Sequence, residues 1–354
     1  MLRKLIALLL FIALGQITLA AVTNSTLIIG TYNVENWNYI ERNKKPNQPK
    51  SAAAKQAVVN VIVATQPDVL GLQEMGNTND FAELRTMLEK NGLVYPHWEH
   101  VQGPDKDRHV CLLSKFPIVA RNSRTDYSYD LNGQIDRISR GLLDVSVRVN
   151  DQYWFRALVV HLKSKRQVEN APGQALVRLE EAKLVRAHLG KILKHDAHAN
   201  LITLGDFNDT PDSPPFQTIL GEPPFSLFPL PAKTARGYEG THLWRARGEW
   251  SRIDHLLASP GLSNEYVAGS ATIREGKDDS EASDHRLVSA KFYTHDIGPV
   301  PTAEIAAAPV PPPAATPETP ATTPPDYRRL VTVIAVIAVL LALLALLRRR
   351  PPGR

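Results

Sequence analysis

Cysteine is all but missing. The 354 residues hold one, Cys111, so an internal disulfide and CxxC-type zinc or redox sites are excluded, and no disulfide-linked partner is implied. No GxSxG segment occurs, which removes the serine nucleophile elbow, and no internal repeat is evident. Net charge is also lacking where most of the chain lies. The total is +5, but Arg3 and Lys4 at the start, and six arginines against Glu304, Glu318 and Asp326 at the end, leave 33 basic and 33 acidic side chains in residues 21–300. The basic excess therefore belongs to the ends. What remains is ordinary globular usage, 43% apolar and 22% charged, which excludes a wholly disordered, collagen-like or coiled-coil chain. Stability must come from a packed core.

The ends read as processing and anchoring segments. Arg3 and Lys4, the apolar run 5–14 and the small-x-small ending Thr18, Leu19, Ala20 have the layout of a secretory signal peptide over 1–21. The run is short for an uncleaved anchor. Residues 330–347 are 18 positions without a charge, followed by Arg348, Arg349, Arg350 and Arg354. That pattern predicts a C-terminal transmembrane anchor with a basic tail over 327–354, placing the exported body at the cell surface or on the periplasmic face of a membrane. Between body and anchor, ten prolines between Pro299 and Pro325 predict an extended linker over 299–326.

The body, 22–298, switches between two periodicities. Strands are expected over 26–32, 68–72, 109–113, 142–149, 153–161, 201–204, 253–257 and 287–293. Helices are expected over 51–66 and 81–90. A longer one starts near Gly173, with Leu176, Leu179, Ala182, Val185, Leu189 and Ile192 along one face. Intermixed strands and helices predict a layered α/β architecture.

Polar residues cluster at the ends of these strands: around Asn33 and Glu35, at Glu74, at His161 and Lys163, at Asp206 and Asn208, and at Asp254 with Asp284 and His285. Carboxylates, amides and imidazoles without thiolates favour a hard cation, Mg²⁺, Mn²⁺ or Ca²⁺, over zinc. Such a cation suits phosphate chemistry, because it neutralises oxygens that gain charge during in-line displacement.

The segments TYNVEN, LGLQE, VVHLKSK, LGDFND, IDHLLAS and SDHRLV, in that order over residues 26–294, resemble the endonuclease/exonuclease/phosphatase superfamily, and bacterial secreted nucleases within it. The resemblance implies a four-layer α/β sandwich with two central mixed sheets flanked by helices. It implies that Glu74 binds metal, with Asn33, Glu35 and Asp284 beside or on it. His285 matches the catalytic histidine, held by Asp254. Asp206 matches the group that moves a proton and Asn208 the one that orients water, while His161 contacts phosphoryl oxygens. Either His285 or Asp206 is the base. Lys163 shares a strand face with His161 and, like Arg140, is a candidate phosphate contact; solvated surface charge is the other account of both.

The function this implies is divalent-metal-dependent phosphodiester hydrolysis by a monomer, with DNA or RNA as substrate. A neutral body would then need a local basic groove. The alternatives are phospholipase C-type or phosphomonoesterase action, or an inactive binding domain. His195 and His198 have metal-like spacing but no third ligand, so a solvated helix end is expected there, as for the nearby His188. Trp244 and Trp250 bracket a charged turn (Arg245, Arg247, Glu249) and are read by default as packing aromatics, with a substrate-facing loop as the alternative; Asn43 to Pro46 reads as a solvated basic loop.

Overall fold

Strands that alternate apolar residues on both faces must be covered on both faces, and this decides the layering. The computed structural model describes residues 25–38, 40–42, 45–166 and 173–298. The first sheet contains β1 (Thr26–Asn33), β2 (Val69–Met75), β3 (His97–Val101) and β4 (His109–Ser114). The second contains β5 (Ile118–Arg121), β6 (Leu143–Arg148), β7 (Trp154–His161), β8 (Leu201–Asp206), β9 (Phe228–Pro229) and β10 (Asp254–Ala258). The chain then returns to the first with β11 (Thr272–Ile273) and β12 (Val288–Tyr293). The orders are β11-β12-β1-β2-β4-β3 and β9-β10-β8-β7-β6-β5. Each sheet is antiparallel except for one central parallel pair, β1 with β2 and β7 with β8.

Leu27, Ile29, Val69, Ala157, Val159, Ile202 and Leu204 meet between the sheets. Gly71 lets the sheets approach: a Cβ there would lie 2.6 Å from Leu204 Cδ1. The alternate residues Leu70 and Leu72 pack outward with helices α1 (Ala52–Thr65) and α2 (Thr78–Lys90). Leu158, Val160 and Leu201 do so with α3 (Gln174–His195) and α4 (Pro214–Leu220). This is the expected four-layer sandwich. Ser51 caps α1, and a capping box of Asn77 and Asp80 starts α2 three residues earlier than its apolar pattern does.

One helix face differs from expectation. In α3, Ala182, Val185, Leu189 and Ile192 are buried as expected, but Leu176 is exposed and its place toward the interior is taken by Gln174, Arg178 and Glu181. Arg178 and Glu181 are hydrogen-bonded to loops of the site described below, which is what permits their burial.

The signal peptide expected at 1–21, the linker at 299–326 and the anchor at 327–354 lie outside the described residues. No described helix is long and apolar enough to cross a membrane. The longest, α3, carries Arg178, Glu181, Lys183 and Arg186 along its 22 residues. The C-terminal membrane anchor, and the cell-surface or periplasmic placement derived from it, is thereby not supported.

His255 shows how an imidazole is held neutral in this core. Its ring packs 4.5 Å from Phe216 and 5.2 Å from Phe207, and its Nε2 hydrogen-bonds Asp209 O at 3.0 Å. Burial pushes its pKa from 6.5 down to about 4. The unfolded chain therefore takes up a proton at His255 below pH 6.5 that the native chain refuses, so stability falls as pH drops from about 6.5 toward about 4, by about 3 kcal/mol in all. Urea midpoints of the wild type and His255→Gln across that range should diverge from each other by this pH-dependent amount; parallel curves would refute the assignment.

Candidate active site

The two parallel pairs bring six scattered segments together at their carboxyl ends. Asn33 closes β1 opposite Gln73, the neighbour of Glu74 in β2. His161 closes β7 opposite Asp206 at the end of β8, and Asp206 in turn faces Asp254 at the start of β10. Where the chain leaves these strands its backbone is strained. Glu35, Asn36, Glu74 and Asn208 adopt left-handed φ of 49°, 53°, 61° and 52°, and all four line one cleft. Gly205, at φ 144°, admits no side chain, since a Cβ would lie 2.0 Å from Val160 O.

Asp206 is the hub. Its carboxylate accepts from Asn33 Nδ2 at 3.0 Å, from Asn208 N at 2.7 Å and from Asn208 Nδ2 at 3.1 Å. Asn208 Nδ2 also reaches Leu162 O at 2.9 Å. The His161 Nε2 lies 3.5 Å from Asp206 Oδ2 and 3.9 Å from Glu74 Oε1. His285 Nδ1 sits 2.8 Å from Asp254 Oδ2, which leaves its Nε2 facing Asp206 and Asp284, each at 3.9 Å.

Electrostatics separate these groups. Burial pushes Asp206 up to about 7, although His285 opposes the shift. Burial disfavours charge on His285 too, but the Asp254 carboxylate and its hydrogen bond outweigh it and hold the pKa well above the ordinary histidine range. His161 is driven the other way, by burial and then by the nearby Arg140 and Arg108. The site thus holds one charged imidazole, one neutral imidazole and a carboxyl that titrates near neutrality.

Glu74 has the features of a cation ligand. Its carboxylate accepts no hydrogen bond among the described residues, and its nearest cation is Arg108 Nε at 3.7 Å. Burial raises its pKa, with Arg108 opposing and Asp284 reinforcing the shift. Glu74 and Asp284, half-buried carboxylates that both line the cleft, offer the hard oxygens a divalent ion takes. Among the described residues, His242, Asp284 and His285 also bring donor atoms within 4.8 Å of one another, as do Asp206, Asp254 and His285. Glu35, expected beside the metal, is drawn off. Arg245 grips it with both Nη atoms, Asp284 N donates to it at 3.1 Å, and Lys50 Nζ lies 4.0 Å away. Asn33 spends its amide on Asp206, and its Oδ1 on the backbone N–H of Glu35.

Arg140 and Lys163 both line the cleft, whose volume is about 1140 Å³. A single buried carboxylate positions them: Glu181 Oε1 accepts from Ser139 N at 2.8 Å and Oε2 from Lys163 N at 2.6 Å. Arg178 completes the brace with 3.1 Å to Lys163 O and 2.8 Å to Asp209 Oδ2. Neither Glu181, Arg178 nor Arg108 was visible in the motifs. Arg108 lies in a charged loop without periodicity; the only signal for the helix pair was its spacing of three on one face of α3. His188 binds Asp144 and Tyr127, while His195 and His198 are exposed, so the helix-end histidines form no metal site among the described residues.

The fold and this cluster define a metal-dependent phosphoester hydrolase. Residues 30–285 match the model of the endonuclease/exonuclease/phosphatase family, and the chain belongs to that family. No curated protein sequence matches it. Solved structures similar in fold include sphingomyelinase C from Streptomyces griseocarneus, 17% identical, covering 76% of this chain and 100% of its own, with a TM-score of 0.55. An endonuclease/exonuclease/phosphatase from Bacteroides vulgatus is 18% identical, with coverage of 77% and 100% and a TM-score of 0.55. Truncated TDP2 from Caenorhabditis elegans is 14% identical, with coverage of 77% and 99% and a TM-score of 0.53.

Proposed function

We propose that the protein is a nuclease that hydrolyses phosphodiester bonds of DNA or RNA with Mg²⁺ or a similar divalent ion. One observation carries this reading. The body is neutral, yet Arg108, Arg140, Lys163, Lys165 and Arg166 all line the cleft. The same cleft carries the carboxylates of Glu35, Glu74, Asp105, Asp206, Glu249 and Asp284, so these cations stand ready to meet phosphates beside a cluster that can hold a divalent ion.

In this reading Glu74 and Asp284 hold the cation, with Asn33 beside them; the ion supplies charge that stabilises the phosphoryl oxygens. Asp254 accepts from His285 Nδ1–H and stabilises the imidazolium, so that its Nε2–H points into the cleft as a donor. Asp206 is then the proton acceptor, and Asn208 orients the attacking water. His161, Arg140 and Lys163 contact the non-bridging oxygens. Glu35 serves as a brace between Arg245 and the Asp284 backbone.

A second reading, hydrolysis of a lipid headgroup ester, is favoured by the likeness in fold to a sphingomyelinase C. The two are separated by assaying the protein on plasmid DNA, RNA, sphingomyelin and a phosphomonoester, with and without EDTA. Nucleic acid should be cut, EDTA should abolish the activity and added Mg²⁺ restore it, and the rate should fall steeply with salt. Turnover of sphingomyelin alone, or DNA cleavage indifferent to ionic strength, would overturn the nuclease reading.

A further inference from the structure

A two-stranded ribbon, His242–Trp244 with Glu249–Ser251, stands outside both sheets but is tied to the segment that carries His285. The Leu243 N–H donates to Asp284 O at 2.8 Å, and the Arg286 N–H to Thr241 O at 2.7 Å. The ribbon brings Trp244 and Trp250, 48% and 45% exposed, to the rim of the cleft. Indoles are usually buried, and two left half-open at the mouth of a cleft mark a contact surface.

Each ring already carries a guanidinium. Arg247 lies 4.3 Å from the Trp244 centroid and Arg286 3.7 Å from that of Trp250. Tyr238, 61% exposed, repeats the arrangement with Arg236 at 5.5 Å, and shares with Trp250 an adjoining pocket of about 400 Å³. Arg247 has no carboxylate partner among the described residues. This pairing disfavours a quaternary ammonium group, which needs a bare π face and would meet guanidiniums instead. A flat heterocycle joined to a phosphate suits it: the ring stacks on the aromatic and Arg planes while the phosphate meets positive charge. A base inside a duplex has both faces covered by its neighbours and must leave the stack to reach such a surface.

We propose that the Trp244/Trp250 lip is a nucleobase subsite, holding an unpaired base beside the scissile phosphodiester, so that the substrate is single-stranded or frayed nucleic acid. This rests on the nuclease reading and adds to it the position of the base.

The test compares KM and kcat of the full chain on an intact single-stranded oligonucleotide, a strand of equal length with abasic residues, and a duplex. The intact strand should show a KM roughly ten- to hundred-fold below the abasic one. In Trp244→Ala that ratio should collapse toward one, mainly through KM, and Trp244→Phe should restore most of it. A ratio that survives Trp244→Ala, or a wild type that prefers the duplex, overturns the subsite and leaves the nuclease reading standing. Hydrolysis of no oligonucleotide at all removes both.

Discussion

Asp206→Asn is expected to lower kcat by roughly a thousandfold, within the range that loss of a general base or acid gives. The substitution is isosteric, so binding of substrate should change far less than turnover. It should also leave the fold intact, because two effects of a few kcal/mol oppose each other. Burial pushes the Asp206 carboxyl up to about 7, so a neutral side chain relieves an unfavourable charge. Against that, the amide nitrogen of asparagine only donates, and whichever way the amide turns it meets donors: the Asn208 N–H on one side, or Asn33 Nδ2 and Asn208 Nδ2 on the other. Steady-state kinetics and urea unfolding of the same preparation check both halves. Turnover within tenfold of wild type would remove Asp206 from the chemistry.

The largest stability effect is expected far from the cleft, at Asp144. This carboxylate, fully buried in β6, accepts from Arg156 Nε and Nη2 and from His188 Nε2 at 2.6 Å, and His188 continues to Tyr127 OH at 2.7 Å. Burial alone would raise its pKa, but the hydrogen bonds from Arg156 and His188, with the Arg156 charge, outweigh it and hold the pKa low. Asp144→Ala strands Arg156 on the interior strand β7 without a counter-charge and should cost about 3–5 kcal/mol. Asp144→Asn, which keeps an acceptor, should cost clearly less. Arg156 lies five residues before His161 on β7, about 16 Å along the strand, so kcat measured below the unfolding transition should be nearly unchanged. An Asp144→Ala protein as stable as wild type in urea would show that the cluster is an ornament of the surface rather than a staple of α3 to the sheet.

Eight strands of the two sheets and the three long helices were legible because each buries residues at a regular period, and period survives in one dimension. The site was legible for a related reason. Asn33, Glu74, His161, Asp206 and Asp254 all stand at the ends of such strands, so polar residues that break an apolar run mark the edge where parallel strands deliver their side chains. The edge strands β3 and β5, whose residues are mostly half-exposed and show no apolar alternation, were not legible; nor were the short β9 and β11 and the ribbon carrying Trp244, since two or three residues cannot display a period.

Roles within the site divide along the same line. Which residue types gather at the cleft was set by order and spacing in the chain: carboxylates, amides and histidines without a thiolate or serine nucleophile. Whether a given carboxylate is free to act was settled only in three dimensions. Glu35 and Glu74 look alike in the sequence, but Arg245, 210 positions downstream, occupies the first, while the carboxylate of the second accepts no hydrogen bond among the described residues. Glu181 reads as a solvated helix residue and proves to be the buried brace of Arg140 and Lys163. Periodic burial is a local property written into neighbouring residues; electrostatic pairing depends on partners that only the folded chain brings within a few ångströms.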